Sequence, residues 1–201
     1  MSDHFRTLAA PAELRHKIER SEFLGVALPI ASEAAFFEEL ARVQKRYFDA
    51  THHCWAFRLF TDARSRSSDA GEPSGTAGKP ILAAIEGANV HDVGVIVVRW
   101  YGGIKLGTGG LSRAYRETAA ETLRRAELVD RYVYERVRVI VPFDALGTIY
   151  RLIDAPNIVL AEEDFGETNR FLFHVRSSRV SEFAKRLKEL RLQHEVLSAE
   201  C

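Results

Sequence analysis

VGVIVVRWYGGIKLGTGGLSRAY, residues 93–115, is the stretch from which the first half of the chain can be read. Residues 93–98 form a β-branched run broken only by Gly94, the pattern of a strand buried on both faces and therefore central in its sheet. A glycine-rich loop follows at 102–110. From Leu111 the period changes: Leu111, Tyr115, Thr118, Thr122 and Ala126 recur every three or four residues, marking the inward stripe of a helix that reaches about Leu128. On its wet side Glu121 and Arg125 stand one turn apart and are expected to pair.

Upstream, the first dozen residues read as a loose leader. Residues 18–30 read as a strand, interrupted by Gly25 and ended near Pro29. Ser32 can cap the helix that follows, and Glu33 complements its positive end. Phe36, Phe37, Leu40, Val43 and Tyr47 lie on one stripe of that helix, and 54–60 reads as another strand. Residues 61–80 are polar and rich in Gly and Ser, and Pro80 suits the first turn of a short helix through about Glu86. Downstream the pattern restarts with a strand at 132–141, a helix at 145–153, strands at 158–162 and 170–176, a helix at 180–190 and a short strand at 195–197. That order is β-α-β-β-α-β, the ferredoxin-like split βαβ arrangement, complete within about 65 residues. Two domains are expected, 1–130 and 131–201.

Composition narrows the function classes. The 201 residues are 46% hydrophobic and 28% charged, an ordinary globular balance. The 28 Lys and Arg cancel the 28 Asp and Glu. The balance holds in each half, so neither half is basic enough to coat nucleic acid nonspecifically. Apolar runs fall far short of the roughly 20 residues of a membrane helix, and the N-terminus lacks a hydrophobic signal core. A cytoplasmic protein without a membrane partner is expected. Cys54, in a strand-like run, and Cys201, the last residue, make neither a disulfide framework nor zinc spacing.

The unusual chemistry is concentrated. Ten of the thirteen glycines lie between Gly71 and Gly110. They fall mainly in two blocks, DAGEPSGTAGKP at 69–80 and RWYGGIKLGTGG at 99–110, each leading into a helix. Free N–H groups and the dipole at a helix start favour anions. Residues 93–116 carry Arg99, Lys105, Arg113 and Arg116 and no acid. A cation near the start of the 111–128 helix opposes its dipole by roughly 0.3–1 kcal/mol, a conflict that an external polyanion relieves. Trp100, Tyr101 and Tyr115 offer nearby faces for base stacking. Against this, glycine-rich loops also serve as plain tight turns, and Arg113 and Arg116 also fit a solvated helix face.

Enzyme motifs fit poorly. GTAGKP lacks the Ser or Thr after its lysine that a phosphate loop needs for Mg2+, and GTGGLS lacks the third glycine of a dinucleotide fingerprint. His52, His53 and Cys54 alternate between strand faces and cannot make one metal site. Asp69 and Glu72 are the candidate acid and base, or hard-cation ligands, although carboxylates in such loops also satisfy turn amides.

THHCWAF at 51–57, DAGEPSGTAGKPIL at 69–82 and VVRWYGGIKLGTGGLSRAY at 97–115 give the chain a family likeness: it resembles the Impact (YigZ-like) family, bacterial two-domain type, over nearly its whole length. The resemblance implies an α/β N-terminal domain similar to domain IV of elongation factor G and an α+β ferredoxin-like C-terminal domain similar to domains III and V of that factor. It maps the family's polar signature onto Asp69, Glu72, Ser74, Thr76, Lys79, Arg99, Tyr101, Lys105 and Arg113. The family commonly has a second Asp where this chain has Ala70. Eukaryotic relatives regulate translation in starvation and carry an extra N-terminal interaction domain, which is not expected here, so only the general link to translation transfers.

The leading expectation is a noncatalytic RNA- or ribosome-binding protein linked to regulation of translation. Its anion-binding groups would be Ser74, Gly75, Thr76, Lys79, Arg99, Tyr101, Gly102, Gly103, Lys105, Gly109, Gly110 and Arg113. The second domain would position it or recruit a protein partner. No cofactor, metal or catalytic residue is expected. The alternative is a small enzyme acting on a phosphorylated or nucleotide substrate, with Asp69 or Glu72 as acid, base or Mg2+ ligand and Lys79 stabilising charge.

Overall fold

The computed structural model describes residues 3–61 and 63–197, so Cys201 lies outside the described residues. The chain divides into two compact units, one of residues 5–131 and one of residues from 132 onward, with which Asp3 and His4 also group.

The first part of the chain holds β1 (His4–Leu8), β2 (Ala12–Ile18), β3 (Ser21–Pro29), α1 (Glu33–Arg46), β4 (His52–Arg58), β5 (Ser65–Ser68), α2 (Gly78–Ala88), β6 (Val93–Trp100), α3 (Gly107–Arg125) and β7 (Leu128–Tyr132). The expected loose leader instead holds β1 and the start of β2. β2 pairs antiparallel with β3, with Leu14 opposite Gly25, while β1 pairs with β7 and sends Leu8 into the core. β2 buries only Leu14 outright, so it shows little of the apolar alternation by which strands are read. A turn through Glu19, with φ at +55°, separates β2 from β3, so the strand expected at 18–30 begins only at Ser21. β5 likewise lies in the segment expected to be loop. Its sequence SRSS makes no hydrophobic demand because it is an edge strand, hydrogen-bonded to β4 alone.

The five-stranded sheet is antiparallel in the order β2-β3-β6-β4-β5. β6 is central, as its composition requires. Val93, Val95 and Val97 face the layer of α2 and α3, whereas Ile96 and Val98 face α1. Fully burying each such side chain contributes roughly 1.5–3 kcal/mol. On the α1 side, Phe36, Phe37, Trp55 and Phe57 pack ring against ring, and Gly94 leaves the space that Phe36 fills. α1 begins as expected, with the Ser32 hydroxyl accepting the Ala35 N–H at 3.1 Å. α3 differs from expectation at both ends: it starts at Gly107 and ends at Arg125, where Ala126 turns extended and the chain joins β7. Glu121 therefore pairs with Arg124, not with Arg125.

The second unit contains β8 (Tyr134–Val141), a one-turn α4 (Leu146–Ile149) between two 3-10 turns, β9 (Ile158–Asp164), β10 (Asn169–Arg176), α5 (Val180–Glu189) and β11 (Gln193–Leu197). Its antiparallel sheet has the order β11-β8-β10-β9. Alternate residues Val137, Val139, Val141, Phe171, Phe173 and Val175 pack against Ile149, Phe183 and Leu187. Asp3 is held in this unit. Its carboxylate accepts from Arg176 Nη2 at 2.6 Å and from the Ser178 N–H at 2.9 Å, and the Arg176 guanidinium keeps it well below the usual carboxylate range. No helix among the described residues is long and apolar enough to cross a membrane.

Candidate functional site

Both glycine-rich blocks belong to the first unit, and the structure uses them differently. In the 69–80 block the loop wraps around Asp69. Its Oδ2 accepts the Gly75 N–H at 2.8 Å, and its Oδ1 accepts the Ala77 and Gly78 N–H groups, each at 2.9 Å. Ala77 supplies no side-chain cap to α2, so Asp69 is the anion at that helix start. Thr76 closes the loop by donating to the Pro73 carbonyl from its N–H at 3.1 Å and its hydroxyl at 2.7 Å. A Cβ at Gly78 would lie 2.8 Å from the Ser68 backbone, which explains the glycine there. Burial alone would raise the Asp69 carboxyl, but the amides of Gly75, Gly78 and Ala77 outweigh it and hold the group below its ordinary range. The cradle that the sequence offers to an external anion at α2 is thus filled by the chain's own carboxylate. Ser74 and Lys79 remain exposed on its rim.

Glu72 builds the floor. Its side chain, 4% exposed, accepts from Arg99 Nη1 at 2.6 Å and from the Tyr115 hydroxyl at 2.8 Å, with His52 Nε2 at 3.8 Å. Arg99 is 5% exposed, and its Nη2 donates to Ser21 Oγ at 3.1 Å. Its guanidinium lies 5.5 Å from the ring centres of both Phe23 and Tyr101. Arg99 Nε is buried and has no hydrogen-bond partner among the described residues. Beside this pair, Cys54 Sγ donates to the Asp69 carbonyl at 2.9 Å, and burial pushes the thiol up to about 12. Burial, with Cys54 and Glu72 adjoining, raises the Tyr115 hydroxyl far above its ordinary range. One of the four cations in the 93–116 window is therefore neutralised internally. The two candidate acid–base groups, Asp69 and Glu72, are both committed to internal hydrogen bonds.

The histidines divide as strand alternation requires. A ring nitrogen of His52 is 3.0 Å from the Ala70 carbonyl, while one of His53 is 3.0 Å from the Tyr47 carbonyl, and burial lowers His53 below its ordinary value. No cluster of three metal-ligating side chains occurs among the described residues.

The 99–110 block is open. Gly102 passes so close to the Arg20 carbonyl that a Cβ would collide with it, Gly103 is exposed, and Gly107 enters α3 at φ +69°. The first turn of α3, Gly107 to Gly110, has no side-chain cap and no acidic residue. Its leading N–H groups have no partner within the helix. Next to it is a cavity of about 410 Å3 lined by Glu72, Pro73, Arg99, Tyr101, Lys105, Leu106, Gly107, Thr108 and Leu111. Lys79, Lys105, Arg113 and Arg116 are exposed and form no ion pair among the described residues. Because α3 starts earlier than expected, Arg113 lies in its second turn.

Of the three aromatics considered, only Tyr101, 46% exposed, faces this cavity. Tyr115 is core. Trp100 donates to Asp49 at 2.9 Å and is covered by Arg15, whose guanidinium is 4.8 Å from its ring centre. Sequence reading missed Ser21 and His52 as partners in the floor. A signal did exist: an arginine ending the run VGVIVV enters a buried strand and must find an anion.

Comparison with known proteins adds a second line of observation. The model of the Impact N-terminal domain matches residues 19–123. IMPACT family member YvyE of Bacillus subtilis is 30% identical over 191 residues, 94% of this chain and 88% of that protein. IMPACT family member YigZ of Escherichia coli is 39% identical over 120 residues, 58% of this chain and 59% of that one. A crystal structure described as that of a hypothetical protein superposes over the whole of both chains with a TM-score of 0.71 at 29% identity.

Proposed function

We propose, from the fact that this chain belongs to the IMPACT family, that it is a noncatalytic RNA- or ribosome-binding protein linked to regulation of translation. The observation that carries this reading is the uncapped, acid-free start of α3, flanked by Lys105 and Arg113, neither of which has a counter-ion among the described residues. Oriented N–H groups and fixed cations around an open cavity favour a phosphate more than any uncharged group. In this reading Tyr101, Gly102, Gly103, Lys105, Gly109, Gly110 and Arg113 meet the ligand. Ser74 and Lys79 extend the grip along the rim. Arg99, Gly75 and Thr76 act from behind, together with Asp69 and Glu72, by holding the two loops in place.

Two finer inferences go with it. The first unit, a sheet between α1 and the α2–α3 layer, is taken as similar to domain IV of elongation factor G. The second unit is taken as ferredoxin-like, supported by its element order and its β11-β8-β10-β9 sheet. That unit is assigned the task of positioning or recruiting a protein partner. Such work belongs in the cytoplasm. The experiment is RNA affinity measured across salt for the wild type, Lys105→Ala and Arg113→Ala. Each substitution is expected to weaken binding and reduce the log–log slope by about 0.7–0.9 for each phosphate left unneutralised. Slopes identical in all three proteins would overturn the assignment.

A further inference from the structure

We infer that the cavity beside α3 holds one unpaired nucleotide, with its base against the Tyr101 ring and its phosphate at the first turn of the helix, so that the RNA recognised is single-stranded. This rests on the phosphate-binding reading above and specifies its substrate class.

Binding a phosphate needs no cavity. Paired RNA presents phosphates, 2′-hydroxyls and shallow base edges, and a flat cationic patch is enough to meet them. Here Lys105 lines a recess of about 410 Å3 whose walls include Pro73, Tyr101, Leu106 and Leu111. That volume is at the low end of the roughly 300–1,000 Å3 typical of small-molecule sites, a fit for one nucleotide and far too small for a duplex. An apolar-walled recess beside a phosphate site is what an unstacked base fills.

Tyr101 is prepared for that role. Its N–H donates to Thr51 Oγ1 at 3.0 Å, and the Arg99 guanidinium, itself fixed by Glu72 and Ser21, sits 5.5 Å from its ring centre. The ring is thereby held from behind while nearly half of the residue stays exposed. The second observation is the Arg99 Nε–H. It is buried without a partner among the described residues, in a side chain that lines the same recess. Buried N–H groups almost always find an acceptor, and because this one is closed to solvent, a base or sugar oxygen in the recess would reach it only with a small shift of the recess wall. The neighbouring carboxylate does not repel a phosphate, because Glu72 and Arg99 neutralise each other.

The test uses the full chain and two labelled probes in fluorescence anisotropy: an oligouridylate of about ten nucleotides, within the usual site size for single strands, and a blunt RNA duplex. The oligouridylate is expected to bind at least tenfold more tightly. Tyr101→Leu is expected to weaken oligouridylate binding by roughly 5- to 150-fold, the range for one stacked base, and duplex binding by much less, so that the preference for the single strand shrinks. Tyr101→Phe should stay within twofold of wild type, and Lys105→Ala should weaken both probes. Equal affinity for the two probes, or a Tyr101→Leu protein indistinguishable from wild type, overturns the nucleotide assignment but leaves the phosphate site standing. Salt-independent or absent binding of both probes removes the phosphate reading and this inference with it.

Discussion

Glu72→Leu probes the floor of the site most severely. The carboxylate removed is 4% exposed and accepts from Arg99 Nη1 at 2.6 Å and from Tyr115 at 2.8 Å. Its removal leaves a guanidinium, 5% exposed, without a counter-ion beside a hydroxyl without an acceptor. Breaking one side of a buried pair costs about 3–5 kcal/mol, and the orphaned hydroxyl adds about 1–3 kcal/mol. Glu72→Gln keeps an acceptor oxygen and should fall at the lower end. Replacing both partners, as in Glu72→Leu with Arg99→Met, removes the unpaired charge and should recover most of the loss. Urea unfolding of wild type, Glu72→Leu, Arg99→Met and the double variant at neutral pH gives the cycle; because the double variant should be more stable than Glu72→Leu, the coupling should exceed the cost of Arg99→Met alone, about 3–5 kcal/mol. Single variants within about 1 kcal/mol of wild type, or a double variant that loses the sum of the singles, would refute the reasoning.

Asp69→Ala orphans three amide donors at the start of α2 and should cost about 2–4 kcal/mol in the same assay. The folded-state pKa of Asp69 lies below the unfolded one, so its ionised form contributes fully above about pH 4 and is lost as pH falls through the folded value. An acid titration of stability should therefore be shallower in Asp69→Asn than in wild type. The glycines separate by environment. Gly25→Ala drives a methyl group into Thr122 Oγ1 and should destabilise by roughly 1–3 kcal/mol, whereas Gly87→Ala, in α2 with nothing within reach, should stabilise by about 0.5–1 kcal/mol. In a Cys201→Ser background, Cys54, buried and with its thiol pushed up to about 12, should react with iodoacetamide at pH 8 only after unfolding.

What the sequence made legible follows from burial. Residues 93–98 read as a central strand because both faces are covered, and that coverage forces an unbroken apolar run. Residues 12–18 and 65–68 were unreadable as strands for the opposite reason: each lies at a sheet edge, where backbone hydrogen bonds on one side suffice and side chains stay polar. The site divided in the same way. A local count of charge finds Arg99, Lys105, Arg113 and Arg116 unopposed, yet Arg99 is answered by Glu72, twenty-seven positions away in sequence. Asp69 caps α2 from outside the usual capping position, since its loop folds back over it. The Arg99–Glu72 pairing is nonlocal and invisible to a window of neighbouring residues, whereas Asp69 meets amides of its own loop, as carboxylates in turn-rich loops do. Both glycine blocks lead into helices, as their sequence implies, while which of the two is already filled depends on that folding back.

Ultraviolet crosslinking of bound oligouridylate to the full chain, followed by peptide mapping, tests the central claim most directly. Crosslinks are expected on Tyr101, in a peptide that includes Lys105 and the start of α3, and they should fade as salt rises. Crosslinks confined to the second unit, or to the α1 face of the sheet, would contradict it.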